Sequence, residues 1–272
     1  MIKPLYSVTY NMFFRPLKVA FHRSFIGKVA ILLVSLMISC NLSAEPLTIV
    51  VEQSPPYIEQ SRQDKGIISA LVIASFARSG VKVNLEYADW YQAEQAVDKH
   101  HHLSFMWEKT KPLMKKWLFS EPIYLQRHKL AFLTDKKPLS VQYLHQLRGI
   151  KIGLTQGFSY GSEFDKFKSK LNVLESNSEY KNVENLLKQK VSAIVIDAAV
   201  ATDLVHKYFK QYEQKHITFV DAPYFNQTVY YLVCSKQYGN CLNYIKKFNQ
   251  GLAQLNKDGT GQQILSKIVQ SN

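Results

Sequence analysis

Two acidic residues occupy positions where their side chains could take part in acid–base catalysis or in ligand binding. Asp197 ends an apolar run that predicts a buried strand, and Glu108 follows the apolar residues 105–107. Acid–base catalysis would need both carboxyls within reach of one substrate, with pKa values tuned apart. The sequence places no nucleophile arrangement and no set of metal or cofactor ligands beside them. These residues therefore favour ligand binding over catalysis.

A glycine turn offers a complementary set of hydrogen-bond donors. Gly157, Phe158, Ser159 and Tyr160 follow a predicted strand at 150–154 and precede a predicted helix at 162–171. Free backbone N–H groups and the Ser159 hydroxyl could face an anionic ligand group, although a simple helix cap would look the same. Asp197 has the same two interpretations, because it joins a strand to a helix.

Aromatic side chains accompany these polar groups: Tyr57, Trp90, Trp107, Phe158 and Tyr160. Aromatic walls suit flat or apolar ligands and, together with carboxylates, cationic ones. Phe105 and Met106 are expected in the core of a strand instead, since such residues are usually buried.

The N-terminus has the pattern of an export signal. Residues 1–28 contain five basic residues and no acid, and residues 29–40 form an apolar run that is shorter than a membrane span. The sequence predicts a signal peptide over 1–44, cleavage after Ala44 and a periplasmic protein. Two alternatives stay open, a membrane anchor and a lipoprotein acylated at Cys40.

The net charge of the mature chain narrows the possible classes of function. Removal of residues 1–44 takes away five of the 34 basic residues and none of the 21 acidic ones, which leaves a net charge of +8. The basic residues are scattered among acids, which argues against nucleic-acid binding.

Cys234 and Cys241 flank a polar turn and predict a local disulfide in an exported protein, with two free thiols as the alternative. Three adjacent histidines at 100–102 cannot converge on one metal ion, and no metal site is predicted.

Strand and helix patterns alternate along the mature chain and predict an α/β fold of two lobes with largely parallel sheets. The spacing predicts strands at 47–51, 81–87, 128–134, 150–154, 191–196 and 228–236, and helices at 66–79, 89–97, 162–171, 183–188, 198–209 and 242–255. A last helix is predicted after residues 258–261. The strands at 128–134 and 228–236 would connect the lobes.

The order of several segments resembles the bacterial extracellular solute-binding proteins of family three. The matching segments are LTIVVEQSPPY, KGIISALV, YADWYQAEQAV, KTKPLMKKWLFSEPIY, LRGIKIGLTQGFSYGSEF, VSAIVID and FNQGLAQLNKDGTGQQIL, which together span residues 47–268 almost completely. The resemblance implies a type II periplasmic-binding clamshell, with two hinge strands and ligand capture in the cleft. It also implies lobe 1 at 45–133 plus 229–272 and lobe 2 at 134–228.

The resemblance also assigns roles to single residues. It implies that the turn Gly157–Ser159 faces a ligand carboxylate and that Asp197 pairs with a ligand ammonium. Thr110 matches the family pattern, but the arginine expected three positions later is Leu113. Leucine cannot grip a carboxylate with two charged hydrogen bonds. A standard α-amino acid is therefore less expected here than is usual for the family, and a cationic or aromatic amine is the alternative ligand.

The sequence thus predicts a monomeric solute-binding protein without a cofactor, which binds a small polar or amphiphilic molecule and serves an ABC-type inner-membrane permease. The alternatives are a sensor for a membrane receptor and an enzyme similar to cyclohexadienyl dehydratase. The predicted ligand contacts are Tyr57, Trp90, Trp107, Glu108, Thr110, Gly157, Phe158, Ser159 and Asp197.

Overall fold

The computed structural model of the chain describes residues 45–136, 141–212 and 216–266. Its strands are β1 (Leu47–Val51), β2 (Val83–Tyr87), β3 (Leu103–Glu108), β4 (Trp117–Phe119), β5 (Tyr124–Leu133), β6 (Lys151–Thr155), β7 (Asn172–Ser176), β8 (Ala193–Asp197), β9 (Ile217–Val220) and β10 (Gln227–Ser235). Its helices are α1 (Ile67–Arg78), α2 (Trp90–His100), α3 (Lys111–Lys116), α4 (Ser162–Phe167), α5 (Glu179–Leu187), α6 (Ala198–Tyr208), α7 (Cys241–Lys257) and α8 (Thr260–Ser266). The predicted signal segment 1–44, with Cys40, lies outside the described residues.

The first lobe forms around β1, which pairs in parallel with β2 on one side and with β3 on the other. Strands β10 and β4 extend this sheet in antiparallel fashion. Helices α1 and α7 cover one face, where Phe76 and Phe248 lie 5.4 Å apart between ring centroids. The helices approach closely because Gly251 has no side chain: a Cβ there would lie 1.8 Å from the Ser75 carbonyl oxygen.

The second lobe is built in the same way around β6, which pairs in parallel with β7 and β8. Apolar side chains from both faces of this sheet form two buried clusters, one containing Ile152 and Phe164 and the other containing Ile194 and Leu186. Helix α5 packs close to β6, where a Cβ on Gly153 would come within 2.9 Å of the Asn182 side chain.

Two antiparallel strands, β5 and β10, connect the lobes. The first part of β5, Tyr124 to Arg127, pairs with Gln227 to Tyr230 of β10, and the rest pairs with β8 and β9 of the second lobe. The later part of β10 pairs with β3 and β4 of the first lobe. One continuous sheet in the order β2-β1-β3-β10-β5-β8-β6-β7 results. The predicted α/β architecture of two lobes and two hinge strands is confirmed, while the exact lobe limits stay predictions.

The structure corrects several predicted elements. The helix expected at 183–188 begins at Glu179, and the helix expected at 162–171 ends at Phe167 and continues as a short 3-10 turn. Strands β4, β7 and β9 were not predicted, because β4 and β9 are only three and four residues long and β7 has polar residues at both ends.

The cysteine and histidine segments lie in the first lobe. Cys234 and Cys241 form a disulfide between β10 and the start of α7, which confirms the predicted pairing. His100 ends α2 and His101 caps it in the left-handed conformation. Within the described residues, no group of three or more side chains could hold a metal ion. The described helices also include none long and apolar enough to cross a bilayer.

Candidate functional site

The two lobes meet where the loop after β1 contacts the start of α6. The Tyr57 hydroxyl donates a hydrogen bond of 2.5 Å to Asp197 Oδ1. Tyr57 belongs to the first lobe and is 1% exposed, and Asp197 ends β8 of the second lobe and is 3% exposed. Ala199 of α6 packs in the same apolar cluster as Tyr57 and Ile58. Two predicted ligand contacts are therefore brought together across the boundary between the lobes.

Asp197 is held in place by the helix that it begins. Its Oδ1 accepts backbone hydrogen bonds from Ala199 N at 2.8 Å and from Val200 N at 3.4 Å, as an N-cap does. The same oxygen thus caps α6, as one of the two interpretations expected, and contacts the other lobe, while contact with a ligand stays a prediction. Oδ2 makes no hydrogen bond to the described part of the chain.

Further tyrosines surround this contact. Tyr124, at the start of hinge strand β5, lies 3.1 Å from the Tyr57 hydroxyl, with ring centroids 5.0 Å apart. Burial and the charge of Asp197 raise the pKa of Tyr57 well above its usual value and that of Tyr124 to about 12. Burial, then Glu108 and Asp197, raise the pKa of Tyr230 on β10 to about 12. These phenols remain neutral hydrogen-bond donors at neutral pH.

Two titratable residues near Asp197 were not predicted from the sequence. Burial and the charge of Asp197 raise the pKa of Glu179 to about 7. Burial lowers the pKa of His128, against the opposing charge of Asp197, which pairs with it across β5 and β8. Glu179 follows Ser178, which caps a helix that follows strand β7. Because β7 was not predicted, this position after a strand was not recognised. We define the interlobe cluster as Tyr57, Tyr124, Tyr230, His128, Glu179 and Asp197.

The glycine turn lies at the end of β6, beside this cluster. Gly157 adopts a positive φ of 81°, and Phe158 is 45% exposed. The Ser159 hydroxyl donates to Asp165 Oδ2 at 2.6 Å, and Tyr160 N donates to Asp165 Oδ1 at 3.2 Å. Two donors that were expected to face a ligand anion therefore bind an acidic side chain of the protein itself.

The remaining predicted contacts lie at the end of β3. Trp90 stacks on Trp107 with ring centroids 3.7 Å apart, and the Trp107 indole N–H donates to Ser104 Oγ at 2.7 Å. Met106, at φ 67°, has no partner in the β10 ladder and forms a β-bulge directly before Trp107. Glu108 is exposed, and Thr110 caps α3.

Leu113, which stands at the position of the family arginine, packs against the cluster of apolar residues that contains Trp107 and Trp117. It therefore has a structural role in the first lobe.

Two cavities lie outside the predicted contacts. One of about 260 Å³ is at the end of the hinge that borders the second lobe, where its lining includes Arg127, His128 and Phe225. The other, of about 330 Å³, lies against the second lobe near Phe132 and Val191. None of the nine predicted ligand contacts lines either cavity. His128 lines the first cavity and also belongs to the interlobe cluster, and its ring lies 5.1 Å from that of Tyr160 between centroids.

The architecture and the hinge define the type II periplasmic binding fold. A similar structure is the second substrate-binding domain of GlnP from Lactococcus lactis, solved in its open conformation, with a TM-score of 0.68 and 19% identity over 83% of this chain and 96% of that one. A second is the amino-acid ABC transporter substrate-binding protein AbpA from Streptococcus pneumoniae bound to L-arginine, with a TM-score of 0.57 and 16% identity over 83% and 95%.

A histidine kinase sensor domain with similarity to periplasmic binding proteins shares the fold as well, with a TM-score of 0.55 and 16% identity over 83% of this chain and 96% of that one. No family model and no curated protein sequence matches the chain.

Proposed function

We propose that this chain is a periplasmic solute-binding protein of extracellular family three, which captures a small amino-acid-like or amine compound between its lobes. One observation carries the proposal. The lobes are joined only through β5 and β10 in the described sheet, and polar side chains from both lobes converge beside these strands. Such a hinge allows the lobes to rotate, and the converging groups supply the contacts that a ligand would bridge.

Binding favours closure because the ligand has a higher affinity for the closed arrangement of the lobes than for the open one. A ligand that touches both lobes makes its full set of contacts only in the closed arrangement, so binding shifts the equilibrium toward that arrangement. No chemical step is needed for this function. We propose the same nine ligand contacts as before: Tyr57, Trp90, Trp107, Glu108, Thr110, Gly157, Phe158, Ser159 and Asp197.

The chemistry of the interlobe cluster favours a ligand with a positive group. Asp197 and Glu179 are acids, and their aromatic neighbours can attract a cation through ring faces. For an anionic group of the ligand, Leu113 offers no charge, and the hydrogen-bond donors of Ser159 and Tyr160 are already bound to Asp165. An amine or a cationic amino acid suits this environment better than an acidic one.

An ABC-type permease is the proposed partner, since a substrate-binding protein of an amino-acid ABC transporter is among the structural neighbours. A ligand sensor for a membrane receptor is the second candidate, favoured by the likeness to a histidine kinase sensor domain.

The test is a thermal-shift screen of the mature chain against amino acids, polyamines, aromatic acids and sugars. A compound at a hundred times its dissociation constant stabilises the native state by about 2.7 kcal/mol. We expect the largest shift from a cationic or amine compound. Phe158→Ala should reduce that shift, and Leu242→Ala, which removes an exposed apolar side chain from α7, should not. Equal effects of the two variants would argue against the cleft, and conversion of the bound compound would indicate an enzyme.

A further inference from the structure

A second contact joins the lobes outside the interlobe cluster. Lys207 Nζ, on α6 of the second lobe, lies 2.8 Å from both carboxylate oxygens of Glu59, which belongs to the loop after β1. The same ammonium lies 2.8 Å from Asp203 Oδ2, one turn earlier on α6. We call Glu59, Lys207 and Asp203 the clasp. Lys207 is about 15 Å along the helix axis from Asp197, so the clasp and the candidate ligand site are separate.

The clasp is largely shielded from water. The side chains of Glu59 and Asp203 are each 11% exposed and that of Lys207 is 27% exposed. Burial acts against the charge on Lys207, but the hydrogen bonds to Asp203 and Glu59 and the negative charges of both acids together outweigh it and raise the pKa of Lys207. Arg62, from the same loop as Glu59, adds a second positive charge near both acids. The ion pair is therefore maintained at neutral pH.

The geometry determines what is lost when the lobes separate. Lys207 and Asp203 are four residues apart on one helix and stay paired in any arrangement of the lobes. The bond to Glu59 spans the two lobes and breaks on opening. Without Lys207, the shielded carboxylates of Glu59 and Asp203 would face each other in the closed arrangement with no cation between them, which would disfavour that arrangement. Lys207 and Glu59 thus favour the closed arrangement through contacts between protein groups alone.

We propose that Glu59 and Lys207 are positioning residues which hold the lobes together without contacting the ligand, and so set how much of the protein is closed before binding. This role goes beyond capture of a solute, because the fraction of protein that is closed before binding would be the same for every ligand of the cleft. If the two residues hold the lobes together, the effect of replacing one on the closed population should depend on the other residue and on salt. A purely structural role requires neither dependence.

The test measures the distance between the lobes by pulsed electron paramagnetic resonance, with no compound added. Spin labels are attached to Lys99→Cys on α2 and Ser169→Cys in the second lobe, both at exposed positions. In Lys207→Met we expect the population at longer distances to rise about tenfold. The double variant Glu59→Lys with Lys207→Glu places the cation on the first lobe opposite two acids of α6, and it should close the lobes at least as fully as in the wild type.

Lys188→Met is the matched control, since it removes an ion pair with Glu184 inside one helix of the second lobe. It should leave the distances unchanged. Salt provides a second measurement without any substitution, because 1 M NaCl should lengthen the distances in the wild type and have little further effect in Lys207→Met. The proposal is overturned if Lys207→Met matches the wild type, if Lys188→Met opens the lobes equally, or if the exchanged pair restores nothing. Because these measurements use no ligand, failure of the screen described above would not affect their outcome.

Discussion

Replacement of Tyr57 by phenylalanine removes one hydroxyl from the contact between the lobes and leaves the ring in place. The lost hydrogen bond is short, at 2.5 Å, and its acceptor is a buried carboxylate. Hydrogen bonds to charged groups contribute about 1.5–3 kcal/mol, and a residue with 1% exposure leaves no room for water to replace the hydroxyl. Asp197 keeps its two backbone donors at the start of α6. We therefore expect Tyr57→Phe to lower the free energy of unfolding by about 2 kcal/mol.

The assay is urea unfolding at pH 7, followed by circular dichroism, with Tyr124→Phe as the matched control. Tyr124 contacts the Tyr57 hydroxyl at 3.1 Å, a bond between neutral groups, so its removal should cost about 1 kcal/mol.

A second measurement uses high pH. The folded state raises the pKa of Tyr57 above 10, so the wild type keeps this contribution below pH 10 and loses it as pH rises further. Tyr57→Phe should show less of this loss. If Tyr57→Phe matched the wild type, or cost no more than Tyr124→Phe, the assignment of a strong bond to Asp197 would be refuted.

Three further changes test other parts of the structure. Because Glu179 has a pKa of about 7 in the folded state against 4.5 in the reference state, stability should fall as pH rises through this window. Glu179→Gln should remove the fall and exceed the wild type by on the order of 2 kcal/mol at pH 8, with equality near pH 4 by urea unfolding. Gly251→Ala should destabilise by at least about 2 kcal/mol because the new Cβ meets the backbone of α1, while Gly239→Ala, with open space around it, should be nearly neutral in the same assay. Replacement of both Cys234 and Cys241 by serine should cost about 2–3 kcal/mol, since the closed loop is short, and calorimetry under oxidising and reducing conditions should show that only the wild type responds to reductant.

The alternation of strands and helices could be predicted because the signals are local. Asp89 and Gln92 form the expected capping box at the start of α2, and the apolar spacing of α7 matches its buried face. The strand end at Asp197 could be found by the same local pattern, and its place in the cleft follows from the rule for parallel sheets.

The contacts between the lobes could not be predicted from local signals. Tyr57 and Asp197 are 140 positions apart, and Glu59 and Lys207 are 148 apart. Nothing in the neighbourhood of either residue identifies its partner. The role of Asp165 in the glycine turn was also missed, because an acid in the first turn of a helix is ordinarily explained by the helix dipole.

Small-angle X-ray scattering of the mature protein, with and without the compound that gives the largest thermal shift, tests whether the lobes close around a ligand. Saturation should reduce the radius of gyration, and the scattering profile should move from a mixture of open and closed particles to one closed form. A compound that stabilises the protein strongly, yet leaves both the radius of gyration and the mixed profile of the unliganded protein unchanged, would contradict capture by closure.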